Sequence, residues 1–522
     1  MSTVTKQTHE KELFGQPIGL YILFMTEMWE RFSYYGMRGI LVLYLTAETI
    51  GDNPGLGWLN KEALSLYGWY TMLVYVASIP GGIIADKILG QKKAVMYGGF
   101  LLVAGHGVLS IEQDWAFYTG LALIICGVGL LKPNISTLVG GLYAEGDERR
   151  DKGFSIFYIG INVGAALASL TVAYIADAYG WHAGFGLAAI GMVLGQVVYL
   201  FGQKYIKHVG NKPIKTIESS DDISIGEIFR RQFSNRNSLA LTLVLGISGL
   251  LTAYFLIDDQ KIAYMIFFVF LAVVVGMMSA IYGDLRSKVE RDRYIVLLLS
   301  FIIVIVFWGA FEQAGGLMNL YAQDRTDRFL MGYEIPAAVF QFFNPFYIIL
   351  FAVPVANFWL WWKNRGKEAS SLFKMANGVI IMGLGFVFMV FASMQYEELG
   401  ESAMYWLILA YLFHTIGELS ASPVALSFIT KLAPVRYGAL MMGVYFAATG
   451  LGNKVAGLIG ESASEAGELS IFTGIVIFCV IFGLLVILLL KPLKRLTHGA
   501  EDKKSSGKDE NEGYELADPE IN

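Results

Sequence analysis

The sequence is poor in cysteine, proline and charge. It contains 2 cysteines and 12 prolines among 522 residues, and Asp, Glu, Lys and Arg together make up 16%. Both cysteines, Cys126 and Cys479, lie in apolar stretches, so we expect two buried small hydrophobic residues and no disulfide framework. With 55% hydrophobic residues and a mean hydropathy of +0.53, the chain is too apolar for a soluble protein.

Sequence motifs of the common enzyme classes are also missing. There is no His-rich metal cluster, no G-x-S-x-G and no P-loop, so neither hydrolysis nor ATP use has a candidate site. The first sixteen residues are polar, and we expect no cleavable signal peptide. We expect neither a bound metal nor a nucleic acid partner.

Apolar runs long enough to cross ~30 Å of hydrocarbon recur along the chain and predict an all-α membrane protein with about fourteen transmembrane helices. The predicted spans are 17–45, 61–88, 92–112, 114–140, 151–177, 182–204, 237–256, 262–282, 294–324, 335–361, 370–395, 401–431, 437–460 and 467–491. Lys and Arg concentrate in alternate loops, which predicts that both termini face the cytoplasm.

The spans group as six, two and six, and two six-helix halves are typical of alternating-access carriers. The uncharged central pair is expected to lie on the outside of the bundle. The predicted segments are a cytoplasmic N-terminal segment (1–16), an N-terminal bundle (17–204), a cytoplasmic connector (205–236), an inserted helix pair (237–282), a C-terminal bundle (283–491) and a disordered cytoplasmic tail (492–522).

The first span contains four charges between Glu27 and Arg38. A charge at the bilayer centre costs at least ~2.5–3.5 kcal/mol, so such residues usually face a polar interior and serve a function. On a helix, Glu27, Arg31, Tyr34 and Arg38 fall within about 60° of one another, with Glu30 and Tyr35 beside them. This face is the leading candidate for the functional core.

Other polar residues also lie at membrane depth. They are Lys132, Tyr158 and Asn162 in the first half, and Glu312, Asn344 and Glu418 in the second half. Each has a structural alternative: Lys132 can snorkel to the interface, Tyr158 and Asn162 can pack helices, and the carboxylates can form buried ion pairs. A cavity with basic residues on one wall and acidic residues on the other would suit a zwitterion with separated ends.

The loop from Gly81 to Lys93 resembles the G-x-x-x-D-(R/K)-x-G loop of the major facilitator superfamily, with one extra residue before Gly90. Asp86 and Lys87 keep the family spacing, and they are candidates for a gate that closes the cytoplasmic side by a breakable charge contact. The alternative is an ordinary basic inside loop.

Five segments together resemble the proton-dependent oligopeptide transporters, bacterial type, from about Gly19 to Lys491. The segments are Glu27-x-x-Glu30-Arg31-Phe32-x-Tyr34-Tyr35-Gly36, Lys132-Pro133-Asn134, Phe157-Tyr158-x-x-Ile161-Asn162-x-Gly164, Phe311-Glu312-Gln313 and Gly417-Glu418-x-x-x-Ser422-Pro423. The resemblance implies the major facilitator fold with two extra central helices.

The resemblance also implies symport of di- and tripeptides with protons, with no cofactor besides the coupling proton, in a bacterial inner membrane. Arg31 and Lys132 would hold the peptide carboxylate, and Glu418 would hold its ammonium group. The resemblance implies further peptide contacts by Tyr35, Tyr75, Tyr158, Asn162, Asn344 and Ser422, proton coupling by Glu27, Glu30, Arg31 and Glu312, and gating by Arg38, Asp86 and Lys87.

The chain departs from the family at two places. It has no histidine between 61 and 88, where animal members carry one, and Tyr445 stands where relatives often have Trp. His106 and His414 are expected to be structural. The alternatives are a carrier of the same fold for another substrate, a membrane enzyme, and a channel; a channel cannot accumulate substrate uphill.

Overall fold

The computed structural model describes residues 12–144, 147–211 and 225–501. Most of the predicted N-terminal segment (1–11) and of the predicted disordered tail (502–522) lies outside the described residues. Because lipid offers no hydrogen-bond partners, a chain this apolar satisfies its backbone within helices, and helices make up nearly all of the described chain.

The N-terminal half contains seven helical segments. They are α1 (Ile18–Thr46), α2 (Asn60–Val76), α3 (Ser78–Ile84), α4 (Gln91–Leu109), α5 (Asp114–Gly141), α6 (Arg149–Tyr179) and α7 (Trp181–Gly202). A π-helical turn, Ala85–Leu89, continues α3, and a 3₁₀ turn, Gln203–Tyr205, follows α7. Together, α2, α3 and the π-helical turn form one span.

The connector and the inserted pair follow as α8 (Ile225–Ser234), α9 (Arg236–Leu256) and α10 (Lys261–Asp284). The C-terminal half then contains α11 (Lys288–Phe311), α12 (Leu317–Arg325), α13 (Phe343–Asn364), α14 (Ser371–Leu399), α15 (Tyr405–Leu432), α16 (Gly438–Ala466), α17 (Glu468–Leu488) and α18 (Leu490–Leu496). Its 3₁₀ turns are Glu312–Ala314, Ala337–Phe342 and Val435–Tyr437.

A helix occupies each of the fourteen predicted spans, which confirms the helical membrane fold. In the described part of the chain, 11 helical segments are long and apolar enough to cross a membrane. The helices α1, α4 and α16 are not among them, because each carries charged or other strongly polar residues. The length of these three helices and their regular place in the series of spans, more than their mean apolarity, therefore identify them as membrane spans.

Three short strand pairs lie outside the helices. They are β1 (Glu12–Leu13) with β2 (Gln16–Pro17), β3 (Thr326–Asp327) with β6 (Ser402–Ala403), and β4 (Phe329–Leu330) with β5 (Tyr333–Glu334). The pair β3–β6 lies at the end of the bundle where α1 leads into α2, which we call the α1–α2 end. The end that carries the connector and the α15–α16 turn is the opposite end.

Two sequence expectations need adjustment. Cys479 is buried and Cys126 is exposed on the bundle surface; both are free, so burial of the two cysteines was predicted correctly for Cys479 only. Helix α18 continues past residue 491, the predicted end of the C-terminal bundle. The chain beyond it packs back: His498 Nε2 lies 2.7 Å from Asp292 Oδ2.

Candidate functional site

The polar face of α1 is buried inside the bundle. Arg31 Nε lies 2.9 Å from Glu27 Oε1 and 2.6 Å from Glu30 Oε2. All three side chains are nearly inaccessible, at 4%, 3% and 0% exposure. Among the described residues, Arg31 Nη2 and both Glu30 oxygens have no hydrogen-bond partner. One guanidinium therefore faces two carboxylates and keeps a free donor for a further anion.

The strongest polar link between the two halves joins Arg38 and Glu312. Arg38 Nη1 lies 3.0 Å and 2.9 Å from the two oxygens of Glu312, and Tyr67 Oη donates to Glu312 Oε2 at 3.0 Å. Arg38 is 8% and Glu312 3% exposed. From the family resemblance, Arg38 was predicted to act in gating and Glu312 in proton coupling. The structure shows that the two residues form one ion pair.

Lys132 stands on α5, one residue before the in-helix Pro133. Its Nζ lies 3.6 Å from the centroid of the Tyr75 ring, a cation–π contact. Lys132 and Tyr75 are both half-buried. The ammonium group thus rests on an aromatic face and does not extend to the end of the span, which argues against snorkelling.

The C-terminal half contributes a carboxylate held by an amide. Asn344 Nδ2 donates to Glu418 Oε2 at 2.8 Å and contacts Thr415 Oγ1 at 3.1 Å. Glu418 is 8% exposed. It has no ion-pair partner among the described residues, unlike Glu27, Glu30 and Glu312. It is therefore the buried carboxylate with room for an external cation.

Tyr35 lies between the charges of the two halves. Its ring packs 4.8 Å from Arg38 Cζ and 5.4 Å from the Tyr34 ring. The same guanidinium forms the ion pair with Glu312 of the C-terminal half. Tyr35 therefore lies beside the ion pair that joins the two halves.

The remaining predicted contacts differ in accessibility. Tyr158 is 41% exposed, while Asn162 is buried and its amide donates to the Tyr158 carbonyl oxygen at 3.0 Å. Ser422 is half-buried and lines a small cavity with Tyr445 and Trp308. The side chains of Tyr158 and Ser422 are accessible to a ligand. The Asn162 amide nitrogen is already hydrogen-bonded within its own helix.

Asp86 and Lys87 are exposed in the π-helical turn after α3. Neither residue forms an ion pair with any part of the chain that the structure describes. The predicted charge contact is therefore not made among the described residues, and the gating role of Asp86 and Lys87 stays a prediction.

The two halves meet closely at the α1–α2 end. The Gly39 carbonyl accepts hydrogen bonds from Asn319 Nδ2 at 2.8 Å and Gln341 Nε2 at 3.3 Å. A Cβ on Gly68 of α2 would lie 2.9 Å from Gly457 Cα of α16, so only glycine permits this approach. Together with the Arg38–Glu312 ion pair, these contacts close the bundle at the α1–α2 end.

Sequence reasoning missed several residues of the site. Tyr67 donates to the Glu312 carboxylate and Thr415 accepts from the Asn344 amide that holds Glu418, yet neither stands out in an apolar helix rich in Tyr and Thr. The helical spacing of Tyr67 and Tyr75 on α2 was the available signal. His106 and His414 are buried away from these groups, and their ring nitrogens have no hydrogen-bond partner among the described residues.

The sequence matches that of known transporters over nearly its whole length. The sequence profile of the POT family matches residues 92–472. An uncharacterised transporter of Bacillus subtilis, YclF, is 38% identical over 508 residues, covering 95% of this chain and 98% of the relative. A peptide transporter of Yersinia enterocolitica is 35% identical over 530 residues (97% and 100%), and a di-/tripeptide transporter of Lactococcus lactis is 34% identical over 504 residues (93% and 98%).

Solved structures have the same fold. The crystal structure of a peptide transporter, POT, in complex with sulfate matches with a TM-score of 0.80 at 33% identity, covering 93% of this chain and 97% of that chain. A POT family transporter in complex with 5-aminolevulinic acid matches with a TM-score of 0.77 at 33% identity, covering 93% and 98%. The fold, the matched length and the identity all agree, and the chain therefore belongs to the POT family of membrane transporters.

Proposed function

We propose that this transporter takes up di- and tripeptides together with protons by alternating access. The observation that carries the proposal is a buried cation and a buried anion in opposite halves: among the described residues, Arg31 Nη2 has no hydrogen-bond partner, and Glu418, held by Asn344, has no ion-pair partner. A peptide with free termini is a zwitterion whose charges lie several bonds apart, and it fits a cavity with one basic and one acidic wall. The peptide transporters of Yersinia and Lactococcus support the same substrate class.

In this proposal, the peptide carboxylate binds at Arg31 and Lys132, and its ammonium group binds at Glu418. Arg31 has the free Nη2 donor, and Glu418 is held in place by Asn344 without an ion-pair partner in the described chain. Charge-assisted hydrogen bonds of this kind are the strong ones. The other proposed contacts to the peptide are Tyr35, Tyr75, Tyr158, Asn162 and Ser422.

Proton coupling follows from the competition for Arg31. When a peptide carboxylate takes its guanidinium, Glu27 and Glu30 lose their counter-ion in a buried site. A buried carboxylate without a counter-ion favours the protonated form. Peptide binding and proton binding would then strengthen each other, as linkage requires.

The ion pair of Arg38 with Glu312 supplies the second coupling step. It holds the α1–α2 end closed while Glu312 is charged. A proton on Glu312 removes one of the two charges and lets the halves separate at this end. If the α1–α2 end faces outward, as the basic loops of the opposite end predict, the proton enters from the side where it is abundant.

The placement in the membrane is part of the proposal. The chain is a multi-pass membrane protein, and we propose a bacterial inner membrane with both termini in the cytoplasm. The conformation described here would then open inward, with Asp86 and Lys87 separated from the other half. An inward proton supplies ~2.3 kcal/mol per 100 mV of membrane potential.

The test is uptake of a labelled dipeptide into proteoliposomes with an imposed inward proton gradient. We expect uphill accumulation that excess unlabelled dipeptide abolishes, and its loss in Glu418→Gln. The matched control is Glu12→Gln, an exposed carboxylate that pairs with Arg149. If the wild type accumulated none of the dipeptides tested, peptide symport would be refuted. If Glu418→Gln kept full activity, only the role of Glu418 as the ammonium site would be refuted.

A further inference from the structure

A second buried charge, outside the peptide site, lies in α16. Lys454 is 1% exposed, and its Nζ lies 3.3 Å from Glu461 Oε1 on the same helix. The same Nζ lies 4.4 Å from the ring centroid of Trp69 and 5.1 Å from that of Tyr264. The ammonium group is therefore enclosed by two aromatic faces and one carboxylate, which we call the Lys454 box.

The box is built from three separate parts of the protein. Trp69 belongs to α2 of the N-terminal half, Lys454 to α16 of the C-terminal half, and Tyr264 to α10 of the inserted pair. A buried ammonium group in contact with two rings is held more strongly than an exposed one, because cation–π attraction grows on desolvation. A residue with this environment links all three parts at one point.

The tip of the inserted pair also holds α2 directly. Gln260, between α9 and α10, accepts hydrogen bonds through Oε1 from Trp69 Nε1 at 2.6 Å and from Ser65 Oγ at 3.3 Å. Tyr264 packs on the same indole, with ring centroids 5.2 Å apart. The inserted pair therefore fixes the orientation of Trp69, the ring that meets Lys454.

The box adjoins the closest approach of the two halves. A Cβ on Gly68 would lie 2.9 Å from Gly457 Cα and 3.5 Å from Lys454 Cδ. The aliphatic stem of Lys454 thus packs at the α2–α16 contact itself. Opening the α1–α2 end must pull α2 away from α16 and strip the ammonium group of at least one of its rings.

The inserted pair is anchored to the C-terminal half at its other end. Asp284, the last residue of α10, lies 2.7 Å from Arg231 Nη1 and 3.3 Å from Arg436 Nη1, and it accepts a hydrogen bond from Tyr437 Oη at 2.7 Å. The pair thus holds the N-terminal half at its tip and the C-terminal half at its base. Its outer position, predicted from its lack of charge, is compatible with this role.

We propose that Lys454 is a gating residue of the transport cycle and that the inserted pair stabilises the state closed at the α1–α2 end through the Lys454 box. Its role is to position α2 against α16, without contact to the peptide. The inference goes beyond the proposed function and does not depend on which substrate is carried. Loss of the box shifts the protein towards the state open at the α1–α2 end.

The test measures the distance between α2 and α16 without substrate. Spin labels are placed at Lys61→Cys and Glu465→Cys, an exposed pair whose side chains lie 3.3 Å apart, after replacing Cys126 and Cys479. We expect Lys454→Met to raise the open-to-closed population ratio about tenfold, which corresponds to about 1.4 kcal/mol. Lys454→Arg, which keeps the charge and the ring contacts, should restore most of the closed population.

The control is Lys261→Met. Lys261 Nζ lies 5.2 Å from the ring centroid of Tyr254, so this cation–π contact stays within the inserted pair and does not connect the two halves. This variant should leave the distances unchanged. If Lys454→Met does not fold, Gln260→Ala provides a second test, because it removes the hydrogen bond to Trp69 and keeps Lys454. It should shift the open-to-closed population ratio in the same direction. Unchanged distances in whichever of these two variants folds would overturn the proposal, whether or not the protein carries peptides.

Discussion

The two ends of the bundle are closed by different kinds of contact. At the α1–α2 end the contacts cross between halves and exclude water, as in the Arg38–Glu312 ion pair and the Gly68–Gly457 approach. At the opposite end the ion pairs are more exposed, as between Lys494 and Glu368 at 2.7 Å and between Arg436 and Asp284 at 3.3 Å. The difference shows which contacts a transport cycle has to break.

Buried contacts between halves carry most of the energy that holds this conformation. An exposed ion pair contributes about 0–1 kcal/mol, whereas removing one partner of a buried pair costs about 3–5 kcal/mol. The proposed peptide site lies between the two ends of the bundle. Substitutions at the two ends should therefore differ by orders of magnitude in their effect on the population of the closed conformation.

The largest effect is expected for Arg38→Met. This change leaves the Glu312 charge buried without its counter-ion, which costs the closed state about 3–5 kcal/mol, or about two to four orders of magnitude in population. Spin labels at 61 and 465 should report a mainly open α1–α2 end. Arg149→Met, which breaks an exposed ion pair with Glu12, is the control and should leave the distances as they are.

A closed label distance in a folded Arg38→Met protein would show that the remaining contacts between the halves suffice to close this end. The Arg38–Glu312 ion pair would then not be what distinguishes the two ends.

The next effect is expected for Asn344→Ala. The amide of Asn344 orients Glu418, and a hydrogen bond to a charged group contributes about 1.5–3 kcal/mol. We expect the KM for a dipeptide to rise about tenfold or more, with a smaller change in maximal rate. Uptake measured over a range of dipeptide concentrations separates the two parameters.

Asn377→Ala is the matched control, since the Asn377 amide donates only to the Phe373 carbonyl oxygen of its own helix, at 2.8 Å. An equal rise in KM for both variants would mean that the amide acts through helix packing and does not orient Glu418.

A smaller effect is expected for Tyr67→Phe. The change removes one hydroxyl donor to Glu312 and leaves the ion pair with Arg38 in place. Proton-driven uptake should fall several-fold, because the hydroxyl no longer helps to hold the Glu312 carboxylate in its ion pair with Arg38. The rate should be measured at several external pH values.

Tyr70→Phe provides the comparison. Tyr70 is equally buried on α2, and its hydroxyl has no hydrogen-bond partner among the described residues. If Tyr70→Phe changed the pH profile as strongly as Tyr67→Phe, the contact with Glu312 would not be the cause.

The smallest effect is expected for Asp284→Asn at the opposite end. Asp284 is partly exposed, and its ion pairs with Arg231 and Arg436 are expected to contribute about 1 kcal/mol or less each. Dipeptide uptake should stay within about twofold of wild type. A loss of uptake as large as that in Arg38→Met would show that contacts at the opposite end also stabilise this conformation.

The sequence was sufficient for the helices and for the charged residues that they carry at membrane depth. Repeated apolar runs predicted every span, and the helical spacing of Glu27, Arg31 and Arg38 predicted the polar face of α1. These features are local, so they can be read within one span. The opposing acidic wall was also predicted, because a carboxylate inside an apolar helix is conspicuous.

The pairing of residues across the halves could not be predicted in the same way. Arg38 and Glu312 are separated by 274 positions, and no local pattern selects Glu312 over Glu418 as the partner. Tyr67, Trp69 and Lys454 were missed because a lone Tyr, Trp or Lys in an amphipathic span has many ordinary explanations. Their role appears only when the fold brings three distant helices together.

The central claim is that the Arg38–Glu312 ion pair couples closure of the α1–α2 end to the proton, and Glu312→Gln tests it most directly. The measurement compares two rates in proteoliposomes: dipeptide accumulation driven by a proton gradient, and exchange of labelled for unlabelled dipeptide with no gradient. Our account predicts that Glu312→Gln abolishes accumulation and retains exchange. Accumulation at the wild-type level in this variant would contradict it.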